Sequence, residues 1–161
     1  VNFMCGIAGW IERDTDMSMR IKLLNNMSRK LEKRGPDETG VYITKNTALI
    51  HRRLVVIDRE NGKQPMAVTD EGKPYVIVYN GELYNTDALR EELRADGFRF
   101  RGHSDTEVVL KMYIKYGTKC ANKLNGIFAF AVFNSDDRSV FLCRESCREK
   151  RLLPRRATST R

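Results

Sequence analysis

The 161-residue sequence has no apolar run approaching the ~18 to 20 residues that cross a bilayer, and its N-terminus lacks the basic-then-apolar pattern of a secretory signal. Both absences point to a cytosolic protein. Proline is scarce, with four residues, and no Gly/Ser or Pro-rich stretch or internal repeat interrupts the chain, so no domain boundary is expected before residue 142. Four cysteines, Cys5, Cys120, Cys143 and Cys147, are too sparse for a disulfide framework, and a reducing compartment would keep them as thiols. A thiol here is then a nucleophile or a core filler. The two histidines, His51 and His103, read as structural rather than as partners in a Cys-His dyad. Cys143-x-x-x-Cys147 has no second ligand pair, so no metal site is expected.

What remains is a mixture that buries a core: 41% hydrophobic and 31% charged residues. Basic residues outnumber acidic ones 29 to 21, a formal charge of +8 that by itself suggests an anionic partner such as a nucleic acid. The charge is unevenly spread. Residues 143–161 contribute +5 of it, leaving +3 for the first 142 residues.

Periodicity predicts alternating element types. Residues 4–12 fit a buried strand with close neighbours at Gly6 and Gly9. A helix is predicted over about 17–33, with Leu23, Leu24, Met27 and Leu31 on one face, and Arg34-Gly35-Pro36-Asp37 stops it. Strands follow at about 40–44, 47–51, 53–58 and 75–80, with turns at Lys45-Asn46, Asn61-Gly62 and Asp70-Glu71-Gly72. Helices are predicted over about 86–96 and from Ser104, where Ser104-Asp105-Thr106-Glu107 reads as a capping box. A short helical piece near 119–124 precedes a strand pair, 127–133 and 139–142, around Asn134-Ser135-Asp136-Asp137. Runs of strands and runs of helices make the class α+β.

Several residues carry candidate chemistry. Cys5 follows Met4, so removal of an initiator methionine would make it the N-terminal residue, with an α-amine of pKa about 7.7 to 8.0 as its own base. The plainer reading is a buried strand cysteine. Asn80 and Gly81 follow the apolar strand Tyr75–Tyr79, presenting an amide and a backbone N–H together at a strand end; two such donors can form an oxyanion hole, or simply a turn. Arg53 offers a planar fork to a carboxylate, and Asp105 at a helix start can accept from an ammonium. Together they would recognise a free amino acid; separately they read as a surface ion pair and a helix-dipole acid.

Seven blocks then carry a resemblance: Met4-Cys5-Gly6-Ile7-Ala8-Gly9, Arg34-Gly35-Pro36-Asp37, His51-Arg52-Arg53-Leu54, Gln64-Pro65, Tyr79-Asn80-Gly81-Glu82-Leu83-Tyr84-Asn85, Ser104-Asp105-Thr106-Glu107 and Leu124-Asn125-Gly126-Ile127-Phe128-Ala129-Phe130. In order and spacing they resemble the glutaminase domain of glutamine-hydrolysing asparagine synthetase, one of the class II glutamine amidotransferases. The resemblance covers residues 4–144. It implies an N-terminal nucleophile hydrolase fold, an αββα four-layer sandwich, here missing its last strands. It implies hydrolysis of L-glutamine to glutamate and ammonia through a cysteinyl thioester, with Cys5 as nucleophile and Asn80 and Gly81 as the oxyanion hole. Arg53 would hold the substrate carboxylate, Asp105 with Glu82 its ammonium, and Leu54, Val55, Val56 and Ile57 would line the pocket. No cofactor is implied for this chain; ATP and Mg belong to the synthetase domain that receives the ammonia and makes asparagine from aspartate. Neither nucleic acid nor membrane is an expected partner.

Two departures qualify this. Val1-Asn2-Phe3 precede Met4, and any residue retained before Cys5 converts the catalytic amine into a peptide amide, so the leader is expected to be absent or removed. After Arg144, Glu145-Ser146-Cys147-Arg148 stands where the family has an Asp-Arg-x-Gly segment. A single inserted nucleotide converts one reading into the other, so residues 145–161 are expected to be a basic tail, out of frame, with the apolar run Phe128–Phe133 and Phe141 left at an open edge. Two further readings stay open: an inactive fragment that at most binds glutamine, and a basic nucleic-acid-binding module resting on charge alone.

Overall fold

The computed structural model describes residues 5–12, 14, 16–55 and 62–145. Two antiparallel sheets face one another, and helices cover both outer faces. The first sheet comprises β1 (Gly6–Ile11), β2 (Glu38–Ile43) and β3 (Thr47–Arg53), in the order β1-β3-β2. The second comprises β4 (Met66–Asp70), β5 (Lys73–Leu83), β6 (Gly126–Asn134) and β7 (Ser139–Arg144), in sequence order. Helix α1 (Ile21–Lys30) covers the first sheet, and α2 (Thr86–Ala95) and α3 (Asp105–Tyr116) cover the second.

Strand period sorts the side chains into three apolar layers. On β3, Ala48 and Ile50 meet Met17 and Leu24 under α1, whereas Leu49 turns to the other sheet. On β5, Val76 and Val78 meet Leu49 between the sheets, while Ile77 and Tyr79 join Leu93, Val109 and Met112 under α2 and α3. The layers therefore run α, β, β, α, the sandwich that the family resemblance implies. The layer under α2 and α3 is the largest of the three apolar clusters.

Several local expectations change. The predicted helix over 17–33 is a 3-10 turn, Met17–Arg20, capped by Asp16 (Oδ1 accepting from the Ser18 N–H at 2.9 Å), followed by α1, which closes at Leu31. The strand expected over 53–58 does not form in its described part: Arg53 ends β3, Leu54 and Val55 leave the ladder, and 56–58 lie outside the described residues. Strand β4, short and half-exposed, has no sequence counterpart in the reading above, because Met66-Ala67-Val68 follows Gln64-Pro65 too closely for a clear alternation. The turns at Glu71-Gly72 and before Ser139 form, with positive φ at Glu71, Gly72 and Arg138. Half of the capping box holds. Ser104 Oγ accepts from the Glu107 N–H at 3.3 Å, but the Glu107 carboxylate takes the Arg101 and Gly102 amides and pairs with Lys111 at 2.5 Å. The run Phe128–Phe133 is interior, flanked by β5 and β7; among the described residues the open edge on that side belongs to β7.

Candidate active site

The site begins with two strands that present side chains to the space between the sheets. Ile7 of β1 packs there, and Cys5, two residues earlier, lies at the entry to the same face. On β3, Leu49, His51 and Arg53 share that face by the same alternation. The register sets Gly6 opposite Arg52, so Cys5 meets the chain just as it leaves β3. There the Leu54 N–H donates to Cys5 Sγ at 3.4 Å, and Sγ in turn lies 3.6 Å from Leu54 O. The thiol is thus tied to the main chain of one residue on both sides.

The Arg34-Gly35-Pro36-Asp37 turn wraps this junction. Arg34 Nε donates to Cys5 O at 3.3 Å, Asp37 Oδ2 accepts from the Val55 N–H at 2.8 Å, and the Asp37 N–H donates to Arg53 O at 3.0 Å. Gly35 sits so close that a Cβ would lie 2.2 Å from Arg52 O. Only glycine permits the approach. Arg53 is buried at 4% exposure and pairs through Nη1 with Glu38 Oε2 at 2.9 Å. A buried guanidinium needs a carboxylate neighbour, and Glu38, at the start of β2 and opposite Arg53 in register, supplies one.

The second part of the site is the edge of β5 beyond the end of β4. Asn80 and Gly81 were expected at a strand end; instead β5 runs on to Leu83, with Asn80 opposite Ala129 and Gly81 opposite Phe128. Asn80 is buried and, in phase with Val78, faces the space between the sheets. The N–H groups of alternate residues point to one side of a strand. Here the Tyr79 N–H goes to Gln64 Oε1 at 2.6 Å and the Leu83 N–H to Asp105 Oδ2 at 3.3 Å. The Gly81 N–H, midway between them, points to that same edge. A Cβ on Gly81 would lie 2.4 Å from Ile127 O, so this position too is closed to other residues.

Asp105 opens α3 and is held by Tyr79, whose hydroxyl donates to Oδ2 at 3.0 Å. Burial pushes its carboxyl above the usual range, and the hydrogen bonds from Tyr79 and the Leu83 amide oppose that shift. Glu82 is exposed, and its charge acts on the Tyr79 phenol that bonds Asp105. His51 joins the two parts: its Nε2 lies 3.2 Å from Tyr79 O, and because a carbonyl only accepts, Nε2 carries the hydrogen. Burial pulls its pKa down to about 4. Among the described residues no hydrogen bond joins Cys5 to Asn80 or Gly81; strand alternation brings Cys5 and Asn80 to the layer between the sheets. Val56 and Ile57 lie outside the described residues, as do Met4 and Cys147. Arg34, Asp37, Glu38, Gln64 and Tyr79 were given no part in the chemistry by the sequence reading, although four of them stand inside the seven blocks that carry the resemblance. The described residues contain no cluster of three or more metal-ligating side chains and no helix long and apolar enough to cross a membrane.

Residues 4–158 match a glutamine amidotransferase domain family, past the boundary at 144 suggested by the motifs. Asparagine synthetase [glutamine-hydrolyzing] 3 of Bacillus subtilis is 46% identical over 142 residues, covering 88% of this chain and 23% of that protein. Asparagine synthetase B [glutamine-hydrolyzing] of Escherichia coli is 38% identical over 143 residues, with 88% and 25% covered. The chain therefore spans about a quarter of the length of these relatives. A solved structure of the allosteric regulatory enzyme of purine biosynthesis shares the fold, with a TM-score of 0.50, 22% identity, and 57% of this chain and 22% of that one covered.

Proposed function

The chain belongs to the glutamine amidotransferase domain family, and from that membership we propose that it hydrolyses L-glutamine to L-glutamate and ammonia with Cys5 as nucleophile. The observation that carries this reading is the thiol of Cys5 fixed on the Leu54 main chain, one residue from a buried arginine. The thiolate adds to the side-chain amide carbon, and the negative charge passes to the amide oxygen. The Asn80 amide and the Gly81 N–H are the donors for that oxyanion. The proton taken from the thiol by the α-amine of Cys5 goes to the departing nitrogen, ammonia leaves, and a thioester remains. Water then adds to the thioester, and cleavage of the carbon–sulfur bond gives glutamate and restores the thiol. Arg53 binds the substrate carboxylate by exchanging part of its contact with Glu38, and Asp105 binds the ammonium.

No cofactor takes part in these steps. The relatives named as glutamine-hydrolysing asparagine synthetases extend well beyond the quarter matched by this chain, and we assign the consumer of the ammonia to that remainder. This reading requires Cys5 to be the N-terminal residue. Protein produced with Cys5 exposed should release labelled ammonia from amide-labelled glutamine and be alkylated at Cys5 by a glutamine-mimetic diazoketone. Alkylation at Cys120 or Cys143 instead, or an active protein that retains Val1, would sink the mechanism.

A further inference from the structure

Tyr79 stands at the centre of the two halves of the site yet has no place in the chemistry above. Its main chain is tied on both polar atoms, the N–H to Gln64 Oε1 at 2.6 Å and the carbonyl to His51 Nε2 at 3.2 Å. Gln64 is itself held, its Nε2 donating to Thr106 Oγ1 of α3 at 3.2 Å. Gly40 fixes the Gln64 main chain from β2, since a Cβ there would lie 1.8 Å from Gln64 O. The tyrosine backbone is therefore pinned by β3, by the segment before β4 and, through Gln64, by α3. Its ring is buried at 2% exposure in the layer under α3, and the hydroxyl meets Asp105 Oδ2. The Leu83 N–H reaches the same oxygen.

Two donors converging on one oxygen fix the plane of a carboxylate. Burial and the nearby Asp105 charge raise the Tyr79 phenol well above its ordinary pKa, so it is a permanent donor at neutral pH. The Asp105 and Thr106 amides of the first turn also reach this carboxylate, but without the two donors on Oδ2 it would be less constrained and, half-buried, more inclined to take up a proton. Of the charged groups in this region, Glu82 also raises the phenol, and Arg90 of α2 is committed to Gly102 O and Ser104 O at 2.9 and 3.2 Å. Neither is among the hydrogen-bond partners of the Asp105 carboxylate.

We propose that Tyr79 is a positioning residue that orients the Asp105 carboxylate toward the α-ammonium of a free amino acid, and thereby sets the preference for a substrate bearing that ammonium. The inference rests on the glutaminase reading and adds to it the residue that determines substrate class. It predicts a discrimination that a merely structural tyrosine would leave untouched. Loss of one hydrogen bond to a charged group corresponds to about tenfold weaker recognition.

The test compares Tyr79→Phe, which removes only the hydroxyl, with the parent chain. Calorimetric binding of L-glutamine and of its analogue lacking the α-amine, 4-carbamoylbutanoate, is measured in a Cys5→Ala background, where no turnover intervenes. The expected result is an L-glutamine affinity about tenfold lower in the phenylalanine variant with analogue affinity unchanged. With Cys5 present, KM should rise by about the same factor while kcat stays within about twofold. Asp105→Asn should erase the preference for the α-amine altogether. If Tyr79→Phe weakens both ligands equally, or neither, the positioning role is overturned while the glutaminase reading stands. If the parent chain binds the analogue as tightly as L-glutamine, the ammonium role of Asp105 falls and the inference with it. Circular dichroism of each variant separates these outcomes from loss of fold.

Discussion

At the scale of single residues, His51 shows how a buried group links stability to pH. It is 1% exposed, faces the other sheet and donates from Nε2 to Tyr79 O. Burial is the largest influence on it and favours the neutral ring, and the nearby Arg53 charge acts in the same direction. With a folded pKa of about 4 against an unfolded value near 6.5, the unfolded chain takes up the proton first as pH falls. The His51 contribution is therefore fully present above pH 6.5 and is lost progressively between 6.5 and 4, amounting to about 3 kcal/mol. Urea unfolding at pH 7.0 and pH 4.5 should show a larger drop in the parent chain than in His51→Gln, which keeps a donor but does not titrate. Equal drops would remove His51 as the source. The sequence reading placed His51 on the structural side, and its registration opposite Ile7 and contact with β5 give that placement a physical meaning.

At the scale of elements, the site depends on close approaches that side chains cannot tolerate. The Arg34–Asp37 turn lies against the Arg52–Val55 backbone, and all three atoms nearest a Cβ at Gly35 are main chain, at 2.2, 2.3 and 2.6 Å. A backbone cannot yield as a flexible side chain does, so Gly35→Ala must push the turn away and break the Asp37 bonds to Val55 and Arg53. The expected cost is about 1–3 kcal/mol, seen as a lowered denaturation midpoint, with glutamine hydrolysis reduced at least about tenfold because Leu54 no longer holds the thiol. A variant that hydrolyses glutamine normally would show that the turn is a mere connection. This approach was not legible in the sequence, where Gly35-Pro36 reads as a helix stop, because a turn signal does not say what the turn packs on. The strand alternation in β3, the Ser104 cap and the turns at Gly72 and Asn134 were legible, since each depends on neighbours a few residues away. The length of β5 and the true partner of Glu107 were not. Both depend on residues about forty positions distant or on a loop closed by tertiary packing, in the one case the pairing of Gly81–Leu83 with Gly126–Phe128 and in the other the Arg101 and Gly102 amides.

At the scale of the molecule, the two halves of the site belong to layers of unequal strength. Asn80, Gly81 and Asp105 stand on β5 and α3, whose shared core includes Ile77, Leu93, Val109, Leu110, Met112, Phe128 and Phe130, several of them fully buried aliphatic or aromatic groups. Cys5 and Arg53 stand on the three-stranded sheet, whose outer cover is α1 with a cluster of four buried residues, Met17, Leu24, Ala48 and Ile50. Apolar burial scales with contact area, so the free energy that holds the first sheet is the smaller of the two. Local opening follows the weaker layer. Amide exchange should therefore be faster in β1 and β2 than in β5 and β6, and under mild urea Cys5 should react with a thiol reagent well before buried Cys120, whose pKa burial pushes up to about 12. A ligand that grips Arg53 on one sheet and Asp105 on the other bridges both layers. L-glutamine at saturating concentration with the Cys5→Ala chain should accordingly slow exchange in β1 to β3 by about the factor set by ligand concentration over Kd, with little change in β5 and β6. Uniform protection across both sheets would mean that they open as one unit, and no protection in β1 to β3 would place the bound amino acid away from Arg53.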